Sequence, residues 1–183
     1  RKSERGLPVI CRSHCGGRRL PSGRCWRVAD SPAAAHFFTH SPGILSHAHS
    51  MLANDLVDDF DDGFLGTAIL GRLDADARSF AYASAGHPSG WIIDRAGAVK
   101  ACLESTSMPL AVAPDVDFPT RGPHVLEPGD VLLLVTDGVT EATSSSGQFF
   151  GEGRLLNVVR SNRDAVAAAI VARRYAEVCA FVR

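Results

Sequence analysis

The sequence predicts an α+β domain, an arrangement of antiparallel sheets flanked by helices, and three observations carry that reading. An apolar stripe at helical spacing opens the regular part of the chain, strand-length apolar runs broken by tight turns fill its middle, and two helical segments close it. Helix, consecutive strands, then helices is the order of a layered α+β domain, whereas a doubly wound parallel sheet would alternate strand with helix. A chain of 183 residues, 45% of them hydrophobic, is also long enough to bury one substantial core.

Composition narrows the partners. A net charge of −1 calls for neither nucleic acid nor an anionic membrane surface. No apolar run approaches the roughly 20 residues that cross a bilayer. The opening RKSERGLPVICRSHCGG lacks the unbroken apolar centre of a secretory signal, so a soluble, cytoplasmic protein is expected. Five cysteines, an odd number without an export signal, are expected to be reduced thiols rather than a disulfide framework.

Residues 1–40 differ from the rest: the first thirty hold eight Arg or Lys and three of the five cysteines, with no sustained helical or strand period. They are expected to form an atypical head, disordered or aberrant, ahead of a domain over 41–183. Ser41 suits a helix N-cap and Pro42 the first helical position, with Ile44, Leu45, Ala48, Met51, Leu52 and Leu56 on one face. That is a helix of about four turns. FLGTAILGRLDADARSFAYASAG then reads as a hairpin, two apolar runs around Asp74-Ala75-Asp76-Ala77. WIID and AVKACLE are two shorter strands joined at Arg95-Ala96-Gly97. A Pro-punctuated loop with Met108-Pro109-Leu110 and Pro114 follows, and Glu127-Pro128-Gly129-Asp130 turns the chain into VLLLVTDG, the most apolar strand and the one expected at the sheet centre. Ser144-Ser145-Ser146-Gly147 marks a loop, 151–161 a short helix, and 164–181 an alanine-rich helix.

Asp137 is the sharpest chemical feature. It stands at the end of the most apolar strand and precedes Gly138, which lets backbone or solvent approach. A carboxylate carried there needs a hydrogen bond, a counter-charge or a cation. The plainer alternative is that Asp137 caps the turn through its side chain, since Asp-Gly is a common turn dipeptide. Glu141, four residues on, either supports Asp137 from behind or lies on a solvated turn. Gly86 and His87 sit in a small-residue turn after another strand; His87 could donate to a phosphate or orient a carboxylate, or be a hydrogen-bonded turn histidine. Cys11, His14, Cys15 and Cys25 invite a zinc reading, but the C-x3-C spacing has no matching second ligand pair. Asp58, Asp59, Asp61 and Asp62 lack the interleaved glycine of a calcium loop and suit a solvated helix end. No Gly-rich phosphate loop, GxSxG elbow or CxxC pair is present.

Read in order, HSPGILSHAHSMLANDL, FLGTAILGRLD, YASAGHPSGWIID, STSMPLAV, LEPGDVLLLVTDGVTEA and FFGEGRLLNVV resemble the successive motifs of the PPM-type (protein phosphatase 2C-like) family, in its bacterial SpoIIE-like branch. The resemblance spans about 41–171, and six motifs in the right order are specific where any one would be weak. It implies an α-β-β-α sandwich with two Mn²⁺ or Mg²⁺ ions, hard cations suited to oxygen ligands. It implies hydrolysis of phosphoserine or phosphothreonine by a metal-activated water. It places Asp137 at a metal-binding position, with Gly86, His87, Gly138 and Glu141 in motif or supporting positions. The implied partner is a phosphoprotein in bacterial signalling, an anti-sigma-factor antagonist being the candidate.

Two family features have no counterpart. The early GD-x-x-GHG turn is replaced by CRSHCGGRRLPSGRCWRVADSPAAAHFF, in which Asp30 is out of context, and the closing DD-I/L-T strand is missing. The head is therefore expected to be aberrant and the domain incomplete at both ends. The alternative to an active enzyme is a catalytically inactive, partner-binding form.

Overall fold

A computed structural model of the chain describes residues 8–12, 46–47, 66–113 and 115–183. Its strands are β1 (Pro8–Arg12), β2 (Ala68–Asp74), β3 (Ser79–Ala85), β4 (Gly90–Ile93), β5 (Val99–Leu103), β6 (Arg121–Val125) and β7 (Val131–Leu133). Its helices, after residues 46 and 47, are α1 (Asp137–Thr140), α2 (Gly151–Ser161) and α3 (Ala167–Val182). The helix expected from Ser41 falls outside the described residues except at Ser46 and His47, which are helical. The acidic run Asp58 to Asp62 lies outside them altogether.

The chain divides into two compact units, Arg1–His87 with Ser105–Val125, and Pro88–Glu104 with Leu126–Arg183. The first holds an antiparallel sheet in the order β1-β2-β3-β6. Its centre is the hairpin expected from the sequence, with Ile69 paired to Ser84 and Asp74 to Ser79. Asp74 closes the turn by accepting the Ala77 N–H on Oδ1 at 2.8 Å. Gly71 on β2 leaves room for the Phe80 ring of β3: a Cβ there would run into Cε2 and Cζ of Phe80. Phe80 is fully buried and stacks on Tyr82, and Tyr82 stacks on His124 of β6. Leu70, Ala83, Ala85, Leu110 and Phe118 form the core of this unit.

Both outer strands of this sheet lie where the sequence shows no strand period. Pro8–Arg12 pairs along its whole length with β2. Five residues can join an edge through backbone hydrogen bonds alone, too few to establish an alternation. Arg121–Val125 contains Gly122 and Pro123, residues tolerated at an edge and depleted from strand interiors. It is mostly exposed and shifts register against β3 between Phe80 and Tyr82.

The second unit holds β5-β4-β7, with Trp91 opposite both Cys102 and Leu133. Here the expectation that VLLLV is the central strand is corrected. The centre is β4, every residue of which is buried, and among the described residues β7 pairs on one side only. The apolarity of β7 serves the helices instead. Val131 and Leu133 pack against a core of Trp91, Ile93, Val135, Phe150, Leu155, Val159 and Ile170, in which α2 and α3 supply the last three. Each fully buried Leu, Ile or Phe contributes about 1.5–3 kcal/mol relative to exposure. The Phe150 and Phe181 rings meet edge-on at 5.4 Å, with the Arg154 guanidinium 4.7 Å from the Phe181 centroid. These contacts join the start of α2 to the end of α3.

The turn ahead of β7 is tied down by charge. Asp130 Oδ2 accepts both the Glu127 N–H and the Lys100 ammonium, each at 2.9 Å. Burial alone would push the Asp130 carboxyl up, but the Glu127 N–H and Lys100 outweigh it and hold the group below the ordinary carboxylate value of 3.8. The hydrogen bond to Asp130 in turn raises Lys100 above 10.5. A lowered carboxyl contributes stability that is present above its unfolded value and lost as pH falls through the folded one; the raised ammonium contributes below its unfolded value and is lost as pH rises. Urea midpoints measured across pH are therefore expected to decline at both extremes, and Asp130→Asn is expected to flatten the acid limb.

Candidate functional site

Val135 is buried, and the chain leaves β7 through Thr136 into the single turn of α1, which begins at Asp137. Asp137 is half-buried, and its Oδ1 accepts the N–H of Gly138 at 2.8 Å. Its carbonyl accepts the Glu141 N–H at 2.8 Å and the Thr140 hydroxyl at 3.2 Å. The backbone at Asp137 is thus fixed from its C-terminal side, and among the described residues one bond orients the side chain, through Oδ1, with none to Oδ2. Gly138 is exposed, and among the described residues a Cβ there would meet only Thr136 Oγ1, at 3.8 Å. None of the described residues therefore blocks the approach to the carboxylate over Gly138. Glu141 is exposed on the turn that ends α1 and reaches Asp137 through its backbone rather than its carboxylate.

Gly86 and His87 belong to the other unit, at the end of β3. Gly86 takes φ +60°, and a Cβ on it would stand 2.9 Å from the Pro109 backbone nitrogen and 2.8 Å from its Cδ. The Gly86 N–H donates to Ser107 O at 2.9 Å and to Ser105 Oγ at 2.8 Å. Ser84 completes the clasp: its N–H donates to Thr106 Oγ1 at 2.9 Å, and its carbonyl accepts the Thr106 N–H at 3.1 Å. The AGHP and STSMP segments, read as separate motifs in the sequence, are therefore one hydrogen-bonded structure. His87 follows this clasp with its side chain only 2% exposed, so its ring is not presented to a phosphate in solvent. Ser105→Ala removes one acceptor of the Gly86 N–H while Ser107 O remains. The expected cost is about 1 kcal/mol in urea denaturation, with faster amide exchange at Gly86. An unchanged exchange rate would show that Ser105 does not hold the turn.

A two-ion centre needs shared carboxylates, because each hard cation takes about six oxygen ligands. Among the described residues, no three His, Cys, Asp or Glu side chains gather in a metal-holding group. Asp137 suits one ligand position, and the described residues do not complete a two-metal site around it. Of the zinc candidates, Cys11 lies in β1, while His14, Cys15 and Cys25 fall outside the described residues, as does Asp30. Ser105 and Thr106 were not legible as anchors of Gly86, since a run of short hydroxyl residues signals a turn without naming its partner.

Comparison with known proteins agrees with this architecture. The family described as Stage II sporulation protein E (SpoIIE) matches residues 34–181. The chain is 32% identical over 113 residues to Protein IcfG of Synechocystis, covering 61% of this chain and 18% of that protein. It is 33% identical over 81 residues to the phosphoserine phosphatase RsbU of Bacillus subtilis, covering 44% of this chain and 24% of RsbU. The matched stretch thus spans less than a quarter of the length of these relatives. Among solved structures, the SiaA-PP2C domain of Pseudomonas aeruginosa aligns with a TM-score of 0.64 at 18% identity, over 81% of this chain and 58% of that one. The RsbU and RsbW domains of Rv1364c from Mycobacterium tuberculosis align with a TM-score of 0.52 at 22% identity, over 73% of this chain and 35% of that one. The two antiparallel sheets with their helices are the α+β architecture of these PP2C-type neighbours, and the chain belongs to the SpoIIE family of PPM-type phosphatase domains.

Proposed function

We propose that this domain hydrolyses phosphomonoesters on serine or threonine of a partner protein in bacterial signalling. The family match over 34–181 carries the reading, and the placement of Asp137 at the exit of β7 supports it. Likeness to a protein named phosphoserine phosphatase supports the bond class. An anti-sigma-factor antagonist is the partner we favour, as the SpoIIE-like resemblance implies. Asp137 would be one oxygen ligand to a divalent cation, Mn²⁺ or Mg²⁺, both of which favour carboxylate. The residues of this chain then contribute a fixed carboxylate and, over Gly138, an approach that no described residue obstructs. No described helix is long and apolar enough to cross a membrane.

One observation favours a second reading, a non-catalytic domain that binds its partner: no second carboxylate joins Asp137 among the described residues. The two readings separate in a single titration. Phosphate release from a phosphoserine peptide is followed while Mn²⁺ is raised, and Mn²⁺-dependent turnover is the expected result. Absence of turnover at every Mn²⁺ level would sink the enzyme reading, and peptide binding without turnover would establish the second.

A further inference from the structure

At the other end of β7 from Asp137 lies a cleft of about 330 Å³ lined by Arg95, Pro128, Gly129, Arg163 and Asp164. Three turns of one unit build it. The β4–β5 turn brings Arg95, the turn before β7 brings Pro128 and Gly129, and the α2–α3 connection brings Arg163 and Asp164. The register shows which end this is: Ile93 pairs with Val131, and Trp91 with Leu133, so the turn after Ile93 sits at the start of β7. From Gly129 to Asp137 is roughly 25 Å of extended chain at about 3.3 Å per residue.

The two arginines are held differently. Arg163 donates from Nε to Arg95 O at 3.0 Å and from Nη1 to Arg160 O at 2.8 Å, which fixes its guanidinium plane and, among the described residues, leaves Nη2 uncommitted. The Arg95 stem lies over Gly129, where a Cβ would stand 3.2 Å from its Cβ, Cγ and Cδ. Among the described residues no hydrogen bond or ion pair engages the Arg95 guanidinium, and neither arginine pairs with Asp164. Two cations and one carboxylate therefore share the cleft, an excess of one positive charge in a chain whose net charge is −1. A guanidinium with a packed stem loses little freedom on binding and presents a fork that matches a carboxylate.

We propose that this cleft docks an acidic segment of a partner protein, one carboxylate engaging Arg95 and Arg163 together. The volume equals about eleven waters at ~30 Å³ each, room for adjoining acidic side chains rather than a single small oxyanion. Asp164 on the rim opposes the ligand and sets a limit on its affinity. The proposal concerns binding and stands independently of catalysis at Asp137.

The test is an amide chemical-shift titration of the full chain, read at Gly97 and Gly129, with a glutamate-rich peptide, its glutamine counterpart and inorganic phosphate as separate probes. The glutamate peptide is expected to produce saturable shifts that salt weakens. Arg95→Glu is expected to lower its affinity roughly tenfold, and Asp164→Asn to raise it about two- to fivefold, as charge contacts at a rim allow. A gain in the second variant cannot arise from misfolding. The proposal is overturned by the absence of saturable shifts, by equal response to the glutamine peptide, by saturation with phosphate but not peptide, or by affinity unchanged in Asp164→Asn.

Discussion

Asp137→Ala is expected to lower Mn²⁺-dependent phosphate release by about a thousandfold. The scale follows from the proposed role of Asp137 as a metal ligand: groups that merely orient a ligand already cost roughly 10–100-fold when removed. The fold should survive, because the bonds fixing this turn from Glu141 and Thr140 run to the Asp137 carbonyl, which alanine keeps. Among the described residues, only the bond from the Gly138 N–H to Oδ1 is lost, a local contribution of about 1 kcal/mol. Asp137→Asn is the sharper variant, since it retains an oxygen acceptor for Gly138 and removes only the negative charge. Its rate is expected to fall nearly as far while its urea midpoint stays close to that of the parent. Glu141→Gln supplies the contrast: the side chain is exposed and its backbone N–H makes the contact to Asp137, so less than about a twofold change is expected. Parental turnover in Asp137→Asn would remove this residue from the chemistry, whatever its place in the fold.

The β2–β3 hairpin, the β4–β5 pair and both closing helices were legible because each is a local pattern: an apolar run bounded by turn residues, or an apolar stripe at helical spacing. The hairpin turn expected at 74–77 lies at 75–78, closed by the Asp74 side chain at the end of β2. The rank of β7 within its sheet was not legible. Apolar content reports burial, and the helix residues Leu155, Val159 and Ile170 bury this strand's face although, among the described residues, it has a strand neighbour on one edge only. β6 escaped notice because Gly122 and Pro123 argue against a strand, although an edge accepts both. At the site, the placement of Asp137 at the end of an apolar strand followed from sequence, and the clasp around Gly86 did not. Its partners are some twenty positions downstream, and the parallel bridge between Ala85 and Ser107, with the hydrogen bonds on either side of it, brings them together.

That clasp makes Gly86 a residue whose replacement should cost heavily in stability. At φ +60° an L-residue suffers about 1–2 kcal/mol from its Cβ alone. The same Cβ would approach Pro109 at its ring and at its backbone nitrogen, 2.9 Å away. Proline offers no flexible side-chain end that could swing aside, so relief requires the 105–110 segment to move, and with it the bonds from the Gly86 N–H to Ser105 Oγ and Ser107 O. Gly86→Ala is expected to destabilise the protein by about 3 kcal/mol in urea denaturation, strain and lost hydrogen bonds combined. Pro109→Ala should recover part of that loss by removing the ring, and the double variant should therefore be less unstable than the two single effects summed, as residues in direct contact require. Strict additivity would mean that the Gly86 penalty is wholly one of backbone conformation. In that case the two sequence motifs would be neighbours without being coupled.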